Sequence, residues 1–289
     1  MEPHTGPAIS PRGDRLALGV SSNGSPGLPG TGRVGLWIVD SQTMTITREV
    51  RTGIAAEAVV YPGVVAALLQ DGRLLVVDPK SGRIRSQRSV GYSQCAPQAI
   101  QAAGRGIIVN QLHPGGAEVA VIGPAGDVRT RFVAIDTAAA RCRRVALISS
   151  GDRAYIIGRD RVVALDPQTL RTTSHRVGDL GQERSAAAVP GGLAIASEQG
   201  LRILDTATWN VRWRDPAARW VLASGNTIIA TGSDIRALDA RTGRVRWRGP
   251  GRAAAVAAGR VYAQKRVLDL LTGEVRGTHP TVLTAIRLV

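Results

Sequence analysis

The chain has 289 residues, of which 44% are hydrophobic and 20% charged, at zero mean hydropathy; this balance excludes a disordered chain. No run of 18 apolar residues exists, so a transmembrane helix is excluded as well. Lysine and arginine outnumber aspartate and glutamate by 37 to 22, giving a formal charge of +15 carried almost wholly by arginine, since Lys80 and Lys265 are the only lysines.

In chain order, Met1-Glu-Pro-His4 lacks the basic-then-apolar layout of a signal peptide. The chain as it stands therefore points to the cytoplasm, and a leader removed ahead of Met1 would point outside it. Ile9–Leu18 reads as a turn followed by a strand, and Ser21–Gly32, rich in Gly, Pro and Ser, as a loop. A strand–turn–strand unit then recurs: Leu36–Met44, Leu74–Gly82, Val119–Asp127, Val162–Leu170, Leu201–Trp213, Ile235–Trp247 and a degenerate Val267–Gly273. The mean period is about 38 residues, which suits four short strands per repeat.

The turn has a physical basis. Asp239 can cap backbone amides that the reversal frees, and Gly243 can take the positive φ that closes the hairpin. Arg244, Arg246 and Arg248 then alternate with Val245 and Trp247, as on the two faces of a strand. A second strand pair precedes each unit, as in Val145–Ile157 and Trp220–Ala230. These patterns predict an all-β chain folded as a single seven-bladed β-propeller of four antiparallel strands per blade. The approximate blades are 1–50, 51–91, 92–134, 135–178, 179–215, 216–249 and 250–289. Thr281–Val289 is expected to complete blade one and seal the ring, the alternative being that the strand at Ala8–Ser10 does so.

Ala237-Leu-Asp-Ala-Arg-Thr-Gly243 followed by Val245 and Trp247 resembles the repeat of PQQ-like (quinoprotein-type) β-propellers. Ile9-Ser-Pro-Arg-Gly-Asp14 is similar to a turn of WD40-like propellers. The resemblance implies fold more than function, because such propellers serve as dehydrogenases, scaffolds and sensor domains. A quinone-dependent dehydrogenase of this type would, by the same resemblance, carry an eighth blade, calcium ligands and a disulfide between adjacent cysteines. None of these is identifiable, so no cofactor is implied.

The histidines His4, His113, His175 and His279 form no zinc-binding spacing, and no P-loop, dinucleotide fingerprint or nucleophile elbow is present. The turn aspartates Asp40, Asp78, Asp166, Asp205, Asp239 and Asp269 read as caps at equivalent positions of separate blades. Cys95 and Cys142 precede the first strands of neighbouring blades and read either as a disulfide, implying an oxidising compartment, or as two buried thiols.

Loops between strands two and three, and between blades, share the top face; Gln111–Gly116 is expected to be one such loop. Counting back from the hairpin glycines Gly151, Gly191, Gly225 and Gly259, an arginine precedes each inner strand: Arg144, Arg184, Arg219 and Arg252. On a ring they form an arc at the channel mouth, suited to carboxylate or phosphate. The other arginines, on outer strands, read as edge protection. Aromatics are only 3%, which argues against stacked nucleobases. The favoured function is a monomeric, non-enzymatic scaffold or sensor module binding a protein or anionic ligand at its top face. The alternative is a small-molecule lyase or hydrolase using His113, Glu118 and Glu183.

Overall fold

The computed structural model describes residues 8–9, 15–20, 35–40, 43, 45–52, 55–61, 63–69, 71–89, 99–103, 106–113, 115–123, 128–135, 146–181, 183–257, 259–263 and 266–278. Their strands pair as seven four-stranded antiparallel sheets, each built from four consecutive strands with the first innermost and the last outermost. The sheets run from Ala8–Ile9 to Ile46–Arg51, from Ala55–Tyr61 to Ile84–Ser89, and from Ala99–Ala103 to Val128–Ala134. The rest run from Ala146–Ser150 to Thr172–Arg176, Glu183–Val189 to Val211–Asp215, Trp220–Ser224 to Val245–Pro250, and Ala253–Ala257 to Val275–Thr278. This is a β-propeller arrangement. Among the described residues no helix is long and apolar enough to cross a membrane.

Burial follows from each sheet having neighbours on both faces. The second strands Val64–Leu69 and Gly192–Ser197 are almost continuously buried, whereas the outer strand Ile84–Ser89 is largely exposed. Alternate residues serve alternate interfaces. Val65, Ala67 and Leu69 pack with Leu36 and Ile38 of the first sheet, while Ala66 and Leu68 pack with Ala120 and Ile122 of the third. The same division continues to the last interface, where Ile229 and Ala237 meet Val261 and Leu268.

Among the described residues, the hairpin turns between the third and fourth strands that carry the aspartate are capped as their sequence predicts. Asp239 Oδ1 accepts from the amides of Arg241 and Thr242 at 3.1 and 2.9 Å, and Gly243 closes the turn at φ 72°. Asp78, Asp166, Asp205 and Asp269 repeat the pattern. The turn survives where glycine is missing: Leu170 and Trp209 hold its left-handed position at φ 57° and 63°.

Successive sheets are tied at these turns. The indole Nε1 of Trp213 donates to the Ala240 carbonyl at 3.0 Å, and that of Trp247 to Leu270 at 2.9 Å. In the same register Arg48 donates to Lys80 at 2.7 Å, and Arg129 to Pro167 at 2.9 Å. At the inner end, the Val221 amide donates to Ser185 Oγ at 2.7 Å.

Three expectations are corrected. Ala8 and Ile9 register on Ala17 and Leu16, so the first sheet takes its innermost strand from the N-terminal side; residues 281–289 lie outside the described residues. Gln111–Gly116 is not an open loop, because Gln111, Leu112 and His113 pair with Glu118, Ala117 and Gly116 around a two-residue turn with Gly115 at φ 82°. The alternation at Arg244–Arg248 is broken by a β-bulge: Val245 pairs with Leu238 and Trp247 with Ala237, leaving Arg246 unpaired between them. Val245 is therefore exposed while Trp247 is buried.

The candidate top-face site

The bulge explains much of the outer-strand charge. In the second, fifth, sixth and seventh sheets the bulged residue is an arginine seven positions after the turn aspartate: Arg85, Arg212, Arg246 and Arg276. Each reaches back to that aspartate, at 2.7 Å for Arg212–Asp205 and Arg246–Asp239, and 3.3 Å for Arg276–Asp269. Arg85 bonds Asp78 likewise. Backbone amides and then the Arg212 guanidinium hold the Asp205 carboxyl down at about 2, and the Arg246 guanidinium with the Thr242 amide does the same for Asp239. These arginines are structural partners of the turns, beyond the edge role read from their spacing.

On the opposite face, Arg219 and Arg252 lie in the two connectors that flank the sixth sheet, each directly before an inner strand. The Arg219 amide donates to the Thr231 carbonyl at 2.8 Å, and its guanidinium turns back onto the carbonyls of Ala218 and Pro216. Arg252 is exposed, its guanidinium 5.8 Å from the ring centre of Trp220, which heads the inner strand between them. A guanidinium held over an indole stays weakly hydrated and keeps its hydrogen-bonding edge for a carboxylate.

The other arc positions fall differently. Arg184 lies inside its strand, at the register shift between Glu183 and Ser185, rather than ahead of it. Arg144, Cys95 and Cys142 lie outside the described residues, as does the Ser21–Gly32 loop. His113 and Glu118 share the third sheet, whereas Glu183 opens the fifth, with a whole sheet between them.

Beneath this face sits a feature that the spacing did not reveal. Arg236, 8% exposed, bridges Asp215 of the fifth sheet at 2.7 Å and Asp234 of its own at 3.1 Å. Its Nη2 is buried without a hydrogen-bond partner. Asp215 also accepts from the Ala217 amide at 3.0 Å, and glycine at 232 allows the Ala217 carbonyl to approach, since a Cβ there would stand 2.3 Å away. Equivalent third-strand positions carry Trp37, Leu75, Val163, Arg202 and Arg266, so arginine recurs there, and of these arginines Arg236 alone is buried. Two carboxylates near the arc are thereby occupied, and among the described residues none pairs with Arg252.

No family model matches the chain, and no curated protein matches it. Solved structures share its fold. BamB from Moraxella catarrhalis superposes at a TM-score of 0.60 with 15% identity, covering 90% of this chain and 82% of that one. The computationally designed Ika8 protein superposes at 0.65 with 13% identity, covering 96% and 87%.

Proposed function

We propose that this chain is a non-enzymatic interaction module whose seven sheets close as blades of one ring and whose top face engages an acidic surface of a partner protein. The capped Asp-x-x-Thr-Gly turn of Asp239–Gly243, with Trp213 lying on it, and the propeller likeness to BamB support its placement among PQQ-like propellers. Arg252 over Trp220 carries the functional reading: a cation exposed at the head of an inner strand, next to Arg219, while nearby Asp215 and Asp234 are spent on Arg236. The reading also takes in Arg144 and Arg184, the two other arginines of the sequence register. The array offers charge and planar donors for carboxylates.

The test replaces Arg144, Arg184, Arg219 and Arg252 together by glutamine and measures binding of a fluorescent poly-glutamate peptide as a function of salt. At least a ~10-fold loss of affinity and a shallower salt dependence are expected. Unchanged affinity in a variant that melts like the parent chain overturns the reading.

A further inference from the structure

The outer strands of the seven sheets are not equivalent as edges. Among the described residues, those of the first, second, fifth, sixth and seventh sheets are interrupted by a β-bulge. A bulge twists an edge and spoils it as a template for a further strand. The third sheet departs most from this protection. Its repeat has lost the turn aspartate, with Gly123 in its place, and its outer strand Val128–Ala134 pairs without a shift from Ile122↔Val128 to Gly116↔Ala134. At seven residues it is the longest of the outer strands, and it contains no proline.

Its exposed edge has a definite phase. The Ile135 amide donates to the Gly115 carbonyl at 3.3 Å. Antiparallel pairing alternates, so Arg129, Arg131 and Val133 turn their backbone groups inward, to the third strand. Val128, Thr130 and Ala134 turn theirs outward, where no described strand lies beyond them. The side chains flank this edge with two chemistries. Arg131 and Arg129 share the face toward the fourth sheet, and Arg129 is committed to the Pro167 and Gln168 carbonyls. Phe132, 54% exposed, lies on the other face.

We propose that this edge accepts an extended segment of a partner protein as a fifth strand, and that the segment alternates acidic with apolar residues. Its backbone takes up the outward amides and carbonyls. Its acidic residues fall beside Arg131 and its apolar ones beside Phe132, because neighbouring residues of a strand face opposite ways. A second copy of the same strand is a poorer occupant, since antiparallel self-pairing sets arginines against arginines on one face. This surface lies on the rim, apart from the top-face arc, and is independent of it.

The probe is a labelled peptide of alternating glutamate and valine, followed by fluorescence anisotropy on the full chain and on the four-glutamine variant described above. Thr130→Pro removes one outward amide while leaving the inward ladder intact, and is expected to weaken binding at least ~10-fold in both backgrounds without loss of the fold by circular dichroism. Arg131→Glu is expected to transfer preference to a lysine–valine peptide. Binding of the probe that survives Thr130→Pro in both backgrounds, or no binding at all, overturns the proposal. So does a dimer of the parent chain by light scattering that Thr130→Pro abolishes.

Discussion

The indole of Trp209 lies flat on the imidazole of His175, with ring centres 4.0 Å apart and planes 12° from parallel. It does so from the left-handed turn position that glycine holds in the second, sixth and seventh sheets. At the next two interfaces the ring comes from the other side: Trp213 lies on Gly243 and Trp247 on Gly273, so close that a Cβ on either glycine would stand 2.9 or 2.7 Å from the indole. The fourth sheet offers Thr173 in the register of Trp213, and the fifth supplies the missing ring from its own turn.

Trp209→Gly should relieve ~1 kcal/mol of backbone strain yet lose a half-buried ring contributing ~2–3 kcal/mol, for a net fall in stability. Adding Thr173→Trp should recover part of that loss by restoring the direction of packing used later in the chain. Urea unfolding of the single and double variants checks this, and a Trp209→Gly protein more stable than the parent would contradict it.

Gly225 and Gly243 separate backbone from packing. Both have positive φ, 54° and 72°, but only Gly243 has a ring against it. Gly225→Ala should cost ~1 kcal/mol and Gly243→Ala ~1–3 kcal/mol more. Equal melting temperatures for the two variants would show that Trp213 yields without cost.

Acid should unfold the chain through its turns. Asp205 and Asp239 titrate at about 2 in the folded state against an ordinary value near 4, and Asp78, Asp166 and Asp269 are lowered too. Unfolded chains therefore bind more protons in this window, so the stabilisation is complete above about pH 5 and is lost as pH falls from about 4 to about 2. His175 adds an earlier step. Burial first and then Arg153 hold its imidazole below the usual range, so stability also declines as pH drops through about 6.5. Denaturant midpoints at pH 7.5, 5.5 and 3 measure both steps, and Asp239→Asn should flatten only the lower one.

The buried bridge should behave as one unit. Arg236→Gln strands Asp215, whose side chain is 13% exposed, and should cost ~3 kcal/mol. Asp215→Asn should cost a similar amount, and the double variant less than the sum by at least ~1 kcal/mol. Additive losses in a double-mutant cycle would mean that the two side chains do not depend on each other.

The repeat was legible because the turn needs particular chemistry at fixed places: Asp78, Asp166, Asp205, Asp239 and Asp269 mark it whatever the strands around them contain. The bulge was not, because a single extra residue leaves no trace in an arginine-rich strand; Arg246 looks like its neighbours Arg244 and Arg248 until pairing sets it apart. Leu170 and Trp209 stand where glycine is expected, yet Asp166 and Asp205 marked their turns; what the sequence did not show is that both take the left-handed conformation. At the top face, counting back from the hairpins located Arg219 and Arg252 but missed Arg236, whose partner Asp215 belongs to another sheet.

The hydrogen bonds that tie the hairpin turns, from Arg48, Arg129, Trp213 and Trp247, run one way, from an outer strand to the turn that follows it in sequence. A cut at such a junction is therefore asymmetric. Removing the seventh sheet would uncover the Trp247 indole on the sixth, a greasy, fluorescent surface with a lost hydrogen bond. Removing everything before the sixth sheet would leave on that side a bare Ala240 carbonyl and a vacated glycine, beside the uncovered side chains of Val221, Ile228 and Leu238 and an Arg236 stripped of Asp215. The emission maximum of Trp247 would report when the last sheet lets go.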